Sequence, residues 1–430
     1  MRVLMLGWEY PPKISGGLGV ASQALAESLS NVGQEVSFLL PSCKQQSQHA
    51  VKMISASDIQ PFEKKNEIID LPEKVSVFFE IGSRLLPYLG KEHFVTTIEE
   101  KKSEKRITVK ESIKLLDKIK LSGSYGPSLM DEILKYGFLA SQYSKLSDFD
   151  VVHCHDWMTF KAGEAIHQVS GLPWIAHFHS IEYERNGPYA HPEIETIEKN
   201  ACQSAHKIVT VSKKTADLIK KRYQVATNRI QIIPNGYPKS ILAPTHSLTK
   251  VKKIGFVGRF TFQKNPKKFI DIARSLISYR KDVSFIMIGD GHQMEEIRNQ
   301  IRYSNLESKF ELSGFLSHTN TLKKISQLDV LIVPSNQEPF GLVPLEAVRA
   351  RVPVIASEGC GITEFIPSMK TCQSWNDHSW TQSINHLLDN PVDSKRYTEA
   401  CWQESEALNW HSIANKLTTL YQTLTVQTHA

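Results

Sequence analysis

Long apolar runs are missing from this chain. Nothing approaches the roughly 20 consecutive apolar residues that a membrane-spanning helix needs. The opening "MRVLMLGWEYPP" has a short apolar run, but Glu9 and two prolines follow it without a small-residue cleavage site. It is therefore expected to be a first strand rather than a signal peptide. Cysteine is sparse: six residues, scattered singly and without a CxxC pair. That suggests neither a disulfide framework nor a cysteine-based zinc site, and a reducing cytoplasm is the expected compartment. A dominant charge of one sign is missing as well, with 51 Lys and Arg against 45 Asp and Glu, a net +6. So diffuse a balance does not imply nucleic acid, and no nucleic-acid partner is expected. It suits anionic ligands, or peripheral contact with the acidic inner face of a membrane. The densest basic run, "KKSEKR" at 101–106, is interleaved with acids and reads as a solvated face. Repeats of solenoid period are absent too.

What is present is an alternation. "RVLMLGW", "EVSFLLP", "DVVHCH", "WIAHFH" and "KIVTVS" are short apolar runs separated by helix-length segments. This is the rhythm of a parallel, doubly wound α/β sheet. A second series runs through "KKIGFVGRF", "VSFIMIGDG", "KFELSGF", "DVLIVPS" and "VPVIASE". Between the two lies "IIPNGYPKSILAPTHSLTK", rich in turn formers and read as a linker. The expected organisation is one Rossmann-like half over 1–245, a second over 246–395, and C-terminal helices over 396–430. Residues 44–128 fit the rhythm less well and are expected to add an insertion to the first half. In the tail, Ile413, Leu417, Leu420 and Leu424 share one apolar helix face.

Chemistry gathers at the ends of the strands. Gly16, Gly17 and Gly19 stand between the first strand and the first helix, where bare backbone N–H groups suit an anion. A plain tight turn fits the same glycines. The pattern is not GxGxxG and lacks the acidic residue that a dinucleotide ribose needs. Arg259 closes a strand and Lys264 follows five residues later, before a helix. Two such cations suit a diphosphate, and a solvated basic loop is the alternative. His153, His155 and Asp156 end one strand, and His177 and His179 the next. The alternating histidines share a face only if the strands stay regular. No HExxH and no carboxylate cluster completes a metal set, so no metal is assigned. "EPFGLVPLE" places Glu338 in the loop after an apolar strand and Glu346 in the helix beyond it.

These motifs together, "SGGLG", "HDW", "HFHS", "VGRF" with Lys264, "IGDG" and "EPFGLVPLE", run through the whole chain. They resemble the retaining GT-B glycosyltransferases of family 4 type, the group that includes glycogen and starch synthases, sucrose synthases and bacterial sugar transferases. The resemblance implies two Rossmann-like doubly wound parallel-sheet domains facing a central cleft, the first binding the acceptor and the second the nucleotide-sugar. It also implies that the C-terminal helices cross back to the first domain, and that the cleft closes on the donor. Glu338 would then lie by the donor sugar and Glu346 would hold the ribose hydroxyls. Arg259 and Lys264 would neutralise the leaving diphosphate in place of a metal; no DxD pair closes a strand. Gly16, Gly17, Gly258, Gly341, Leu342 and Val343 would present backbone to the donor. His179 would hydrogen-bond the donor sugar, and Asp156 would bind acceptor or sugar, neither as a general base. His155 is a further candidate for that pocket. Ser124 and Tyr125, in "SGSYGPSL", are expected to line the acceptor side.

The implied reaction moves a sugar from a UDP-, GDP- or ADP-linked donor to a hydroxyl on a sugar or lipid-linked acceptor, with retention and without a cofactor. One departure from the pattern concerns the acceptor. Glucan-chain synthases carry "KTGGLGD", whereas Val20 stands here where their aspartate would be, which points away from a storage-polymer synthase. A sugar-nucleotide epimerase on the same fold and a catalytically inactive nucleotide-sugar-binding subunit are the alternatives.

Overall fold

The computed structural model describes residues 1–12, 16–43, 51–59, 121–123, 125–126, 128–237 and 250–429. Ser124, the basic run at 101–106, most of the expected insertion and the linker residues 238–249 lie outside these.

Among the described residues there are two sheets. The first contains β1 (Arg2–Leu6), β2 (Glu35–Leu40), β3 (Lys52–Ser55), β4 (Val151–His155), β5 (Trp174–Phe178), β6 (Lys207–Thr210) and β7 (Ile230–Ile232). Their order across the sheet is β3-β2-β1-β4-β5-β6-β7. The second contains β8 (Lys252–Val257), β9 (Val283–Ile288), β10 (Phe310–Gly314), β11 (Val330–Val333), β12 (Val354–Ser357) and β13 (Lys370–Cys372), in the order β10-β9-β8-β11-β12-β13. The strands are parallel: Val3 of β1 is in register with Val36 of β2 and Val151 of β4, and Ile254 of β8 with Phe285 of β9 and Val330 of β11. Both faces of such sheets carry helices, which is why β4, β5, β11 and β12 are buried at every position and read as unbroken apolar runs.

In each sheet the chain starts in the middle, winds to one edge, then returns and winds to the other. The reversal falls between β1 and β4 in the first sheet and between β8 and β11 in the second. Loops leaving the carboxyl ends of such a strand pair diverge and leave a crevice, the place where ligands bind in open α/β sheets.

The chain packs as two compact units. One comprises Met1–His177, Ile197–Ile208 and Thr418–Ala430; the other comprises Phe178–Thr196 and Val209–Leu417. This division by packing does not coincide with a single cut near residue 245, because contacts between distant residues decide it. Glu364 accepts hydrogen bonds from the backbone N–H groups of Lys213 and Lys214, at 2.6 and 2.9 Å. Tyr237 N–H donates to the Leu408 carbonyl at 2.8 Å. These tie 209–237 into the second unit. The last helix, Trp410–His429, buries Ile413, Leu417, Leu420 and Leu424 as its apolar spacing demands. From Thr418 on it belongs to the first unit, where the Tyr421 hydroxyl lies 2.6 Å from His153 Nδ1. None of the six cysteines is in a disulfide. Among the described residues no helix is long and apolar enough to cross a membrane.

Candidate active site

The loop after β8 is built on an aromatic floor. Phe260 is fully buried and packs edge-on against Phe256, 5.7 Å between ring centres. Its backbone N–H donates to the Asp290 carbonyl at 2.8 Å, and its carbonyl accepts from Gln293 N–H at 3.1 Å. Anchored there, the flanking residues Gly258, Arg259 and Lys264 are held at the carboxyl end of β8. Arg259 is exposed and has no ion-pair partner among the described residues. Lys264 reaches Glu338 Oε2 at 2.5 Å. Pro266 then opens the helix Pro266–Ile277, with Asn265 before it in the left-handed region at φ 52°. Proline suits a first turn because its missing N–H would have no partner there.

Glu338 comes from the loop after β11, on the other side of the strand reversal. The residue is only 7% exposed, and three contacts fix it. Ser335 Oγ donates to Glu338 Oε2 at 3.2 Å, Glu338 N–H donates to the Gly359 carbonyl at 3.3 Å, and Gly361 N–H donates to the Glu338 carbonyl at 2.7 Å. Two asparagines lock this loop to the one after β8. Asn265 Nδ2 donates to Asn336 Oδ1 at 3.0 Å, and Asn336 Nδ2 donates to the Phe262 carbonyl at 2.8 Å. The cation and the carboxylate are therefore held by a shared frame. Lys264 is thus partly shielded from solvent against a carboxylate, while Arg259 is open to solvent.

Gly341 begins the next helix, Leu342–Arg349. Its φ of 114° is one that side chains rarely adopt, and a Cβ there would stand 2.7 Å from Pro344 Cγ, so glycine is required. Leu342 and Val343 follow in the first turn, their side chains packed on the core below and their N–H groups at the positive end of the helix. One turn further, the Glu346 carboxylate lies 2.8 Å from His318 Nε2, with side chains 10% and 33% exposed respectively. That hydrogen bond raises the His318 pKa above its ordinary value, outweighing the burial that opposes it. His179 lies beyond β5 in this unit, and desolvation pushes its pKa down to about 3. It stays neutral at working pH, able to hydrogen-bond but not to hold a proton as imidazolium.

The first unit holds candidate residues of its own. Gly16 caps the helix Gly17–Asn31, whose first turn carries no acidic residue, and a Cβ at Gly16 would meet nothing within 4 Å. Asp156 caps the helix Trp157–Ser170 at φ 58°, ψ 171°. A buried non-glycine residue in that region is strained by about 1–3 kcal/mol, and such residues cluster at functional sites. The Tyr125 hydroxyl donates to Glu9 Oε1 at 2.5 Å. Glu132 holds the segment before it, accepting from Ser122 Oγ at 2.6 Å and from Gly123 N–H at 2.9 Å.

The histidines divide. His153, His155 and His177 converge, their ring nitrogens within 4.8 Å of one another, while His179 does not join them. β4 stays regular through His155, so His153 and His155 share a face and stack at 4.6 Å. His153 engages Tyr421 through Nδ1 and His177 Nδ1 through Nε2, at 2.6 and 3.0 Å. With both its nitrogens hydrogen-bonded, His153 is fixed in a buried polar cluster under the last helix. His155 is fully buried within it. Glu9, Asn265, His318 and Asn336 were not legible as site residues, because each is identified only by partners far away in the sequence.

Two doubly wound parallel sheets, each with polar groups at its strand reversal, are the architecture of the GT-B glycosyltransferases. Comparison with known proteins agrees. The description "Glycosyltransferase Family 4" matches residues 15–240, and "Glycosyl transferases group 1" matches residues 241–401. The chain belongs to glycosyltransferase family 4 and is a transferase. It is 23% identical to a glycogen synthase of Mycobacterium tuberculosis over 98% of this chain and 94% of that protein. It is 26% identical to an uncharacterised glycosyltransferase of Methanocaldococcus jannaschii, over 85% and 83% respectively. Among solved structures, the sucrose-phosphate synthase of Thermosynechococcus elongatus superposes with a TM-score of 0.72 at 17% identity, covering 99% of both chains. HepE of Anabaena, solved with UDP and glucose, gives 0.65 at 13% identity over 98% of this chain and 100% of that one.

Proposed function

We propose that this glycosyltransferase takes its sugar from a nucleoside-diphosphate sugar, passes it to an acceptor hydroxyl with retention at the anomeric carbon, and needs no metal. The observation that carries the reading is the Lys264–Glu338 pair at the strand reversal of the second sheet, with Arg259 exposed beside it in sequence. In the proposed step the bond between the anomeric carbon and the β-phosphate oxygen breaks, and negative charge grows on the departing diphosphate. Lys264 turns from Glu338 to that charge, and Arg259 meets it from the solvent side. The acceptor oxygen bonds to the anomeric carbon on the face that the diphosphate leaves, and its proton passes to a phosphate oxygen. Glu338 remains by the positively charged sugar ring. Neutral His179 hydrogen-bonds a sugar hydroxyl, and Asp156 binds acceptor or sugar. Gly258, Gly341, Leu342 and Val343 present backbone to the donor, as do Gly16 and Gly17. Residues 1–245 serve the acceptor and 246–395 the donor. HepE was solved with UDP and glucose, which supports a donor of this class.

The test is transfer from UDP-, GDP- and ADP-linked sugars in the presence of EDTA, with the anomeric configuration of the product read by NMR. Transfer from one donor class with unchanged configuration is expected. An inverted product overturns retention, activity that returns only with magnesium or manganese overturns metal independence, and donor conversion without acceptor replaces the reading by an epimerase.

In the same assay Glu346→Ala should raise the donor KM about tenfold or more and leave kcat within about threefold. A ribose contact persists unchanged from ground state to transition state, so it acts as uniform binding. An unchanged donor KM would remove Glu346 from the nucleotide site.

A further inference from the structure

Glu346 is placed to receive a ribose, but a glutamate on a helix surface has three rotatable bonds, and fixing them on binding costs affinity. In this chain the fixing is already done. His318 opens the helix His318–Ile325, which follows β10, and the hydroxyl of Ser317 caps that helix by accepting from Asn320 N–H at 3.4 Å. Its Nε2 lies 2.8 Å from Glu346 Oε1, and the carboxylate side chain is 10% exposed where the imidazole is 33% exposed. The acceptor of the pair is thus buried by its surroundings, and the donor reaches it from the rim. A carboxylate has two oxygens and about four lone-pair sites. Nε2–H on Oε1 occupies one site and leaves Oε2 for other donors.

We propose that His318 is the positioning residue of the nucleotide site: its Nε2–H holds Glu346 through Oε1, so that Oε2 is aimed to accept the hydroxyls of the donor's ribose. This rests on the reading of Glu346 as the ribose acceptor. It assigns a role to a residue 28 positions away in the sequence, which no spacing rule connects to Glu346. The pair also selects chemically. An ionised carboxylate already holding one donor accepts a hydroxyl readily and offers nothing to the bare C2′ carbon of a deoxyribose.

The experiment measures the dissociation constants of UDP, GDP and ADP, and of their 2′-deoxy forms, by calorimetry on the full chain. The variants are His318→Ala, His318→Gln, Glu346→Ala and the double variant His318→Ala with Glu346→Ala. For the base that wild type binds, it should prefer the ribose form by about tenfold or more, the size of one discriminating hydrogen bond. His318→Ala should weaken ribonucleotide binding about fivefold to tenfold and the 2′-deoxy form, which keeps only the 3′-hydroxyl contact, by less, so that the preference falls toward unity. His318→Gln, whose amide N–H can reach the same oxygen, should restore most of the preference. The double variant should match Glu346→Ala alone, since His318 acts through Glu346. Melting curves of all variants check folding, and a structural role alone would not move the ribose preference selectively. If wild type shows no preference, or Glu346→Ala retains it, the ribose reading fails and the inference falls with it. If Glu346→Ala removes the preference and His318→Ala keeps it, the inference alone is overturned. Binding of none of the three nucleotides overturns both.

Discussion

Replacing Lys264 or Arg259 with alanine is expected to lower turnover a hundredfold to a thousandfold, about 2.7–4 kcal/mol of lost transition-state stabilisation for one electrostatic donor. The two variants should differ in everything else. Arg259 is exposed and has no ion-pair partner among the described residues, so its loss should leave the melting temperature within about 2 °C of wild type, as surface substitutions do. Lys264 is bonded to the carboxylate of Glu338, a residue only 7% exposed. Its removal strands that charge, which costs stability as well as rate. Lys264→Ala should therefore melt below Arg259→Ala, and adding Glu338→Gln should recover part of the melting temperature without recovering turnover. Steady-state kinetics and thermal melts on the same samples decide the matter. Turnover near wild type in either single variant would remove that residue from the leaving-group role.

The largest expected loss of stability comes from Gly289→Ala. Gly289 directly follows β9 at φ 134°, and a Cβ there would stand 1.9 Å from the Gly258 carbonyl oxygen and 2.9 Å from its carbon. Neither backbone can yield. Gly258 N–H donates to the Ile288 carbonyl at 2.9 Å, and Gly289 N–H donates to the Gly314 carbonyl at 2.9 Å. The overlap and the forbidden backbone conformation together should cost about 3–5 kcal/mol. Gly258 immediately precedes Arg259, so any relief of the clash displaces the cation, and surviving protein should lose donor binding as well. Gly33→Ala is the control: φ is 89°, but a Cβ there meets nothing within 4 Å, so only the backbone term of about 1 kcal/mol remains. Urea denaturation midpoints compare the two. A Gly289→Ala loss no larger than the Gly33→Ala loss would show that the β8 and β9 loops are not held as tightly as their hydrogen bonds require.

Much of this protein was legible from residue order alone. A parallel strand buried on both faces must be an unbroken apolar run, so "DVVHCH" and "DVLIVPS" announced β4 and β11 without help from the rest of the chain. Gly341 was legible as a helix start from the motif around it; that the start is left-handed, where glycine is the residue without strain, came from the structure. Glu338 and Glu346 were legible because a strand end and the helix after it are joined by a short loop, which gives the two carboxylates a fixed spacing. All these are local constraints, written within a few residues of one another.

The tertiary structure decided the rest. Lys264 and Glu338 are 74 residues apart and meet at 2.5 Å; Asn265 and Asn336, 71 apart, close the frame beside them; His318 finds Glu346 across 28. No periodicity connects such pairs, because what brings them together is the order of strands across the sheet. β8 and β11 are neighbours only because the chain has returned to the middle after β10. The histidines show the same limit in one segment. His177 and His179 are two residues apart, but β5 ends between them at Phe178. One joins a buried cluster with His153 and the other enters the second unit. Residue types at strand ends are a property of the chain; which of them share a site is a property of the sheet order that places those ends side by side.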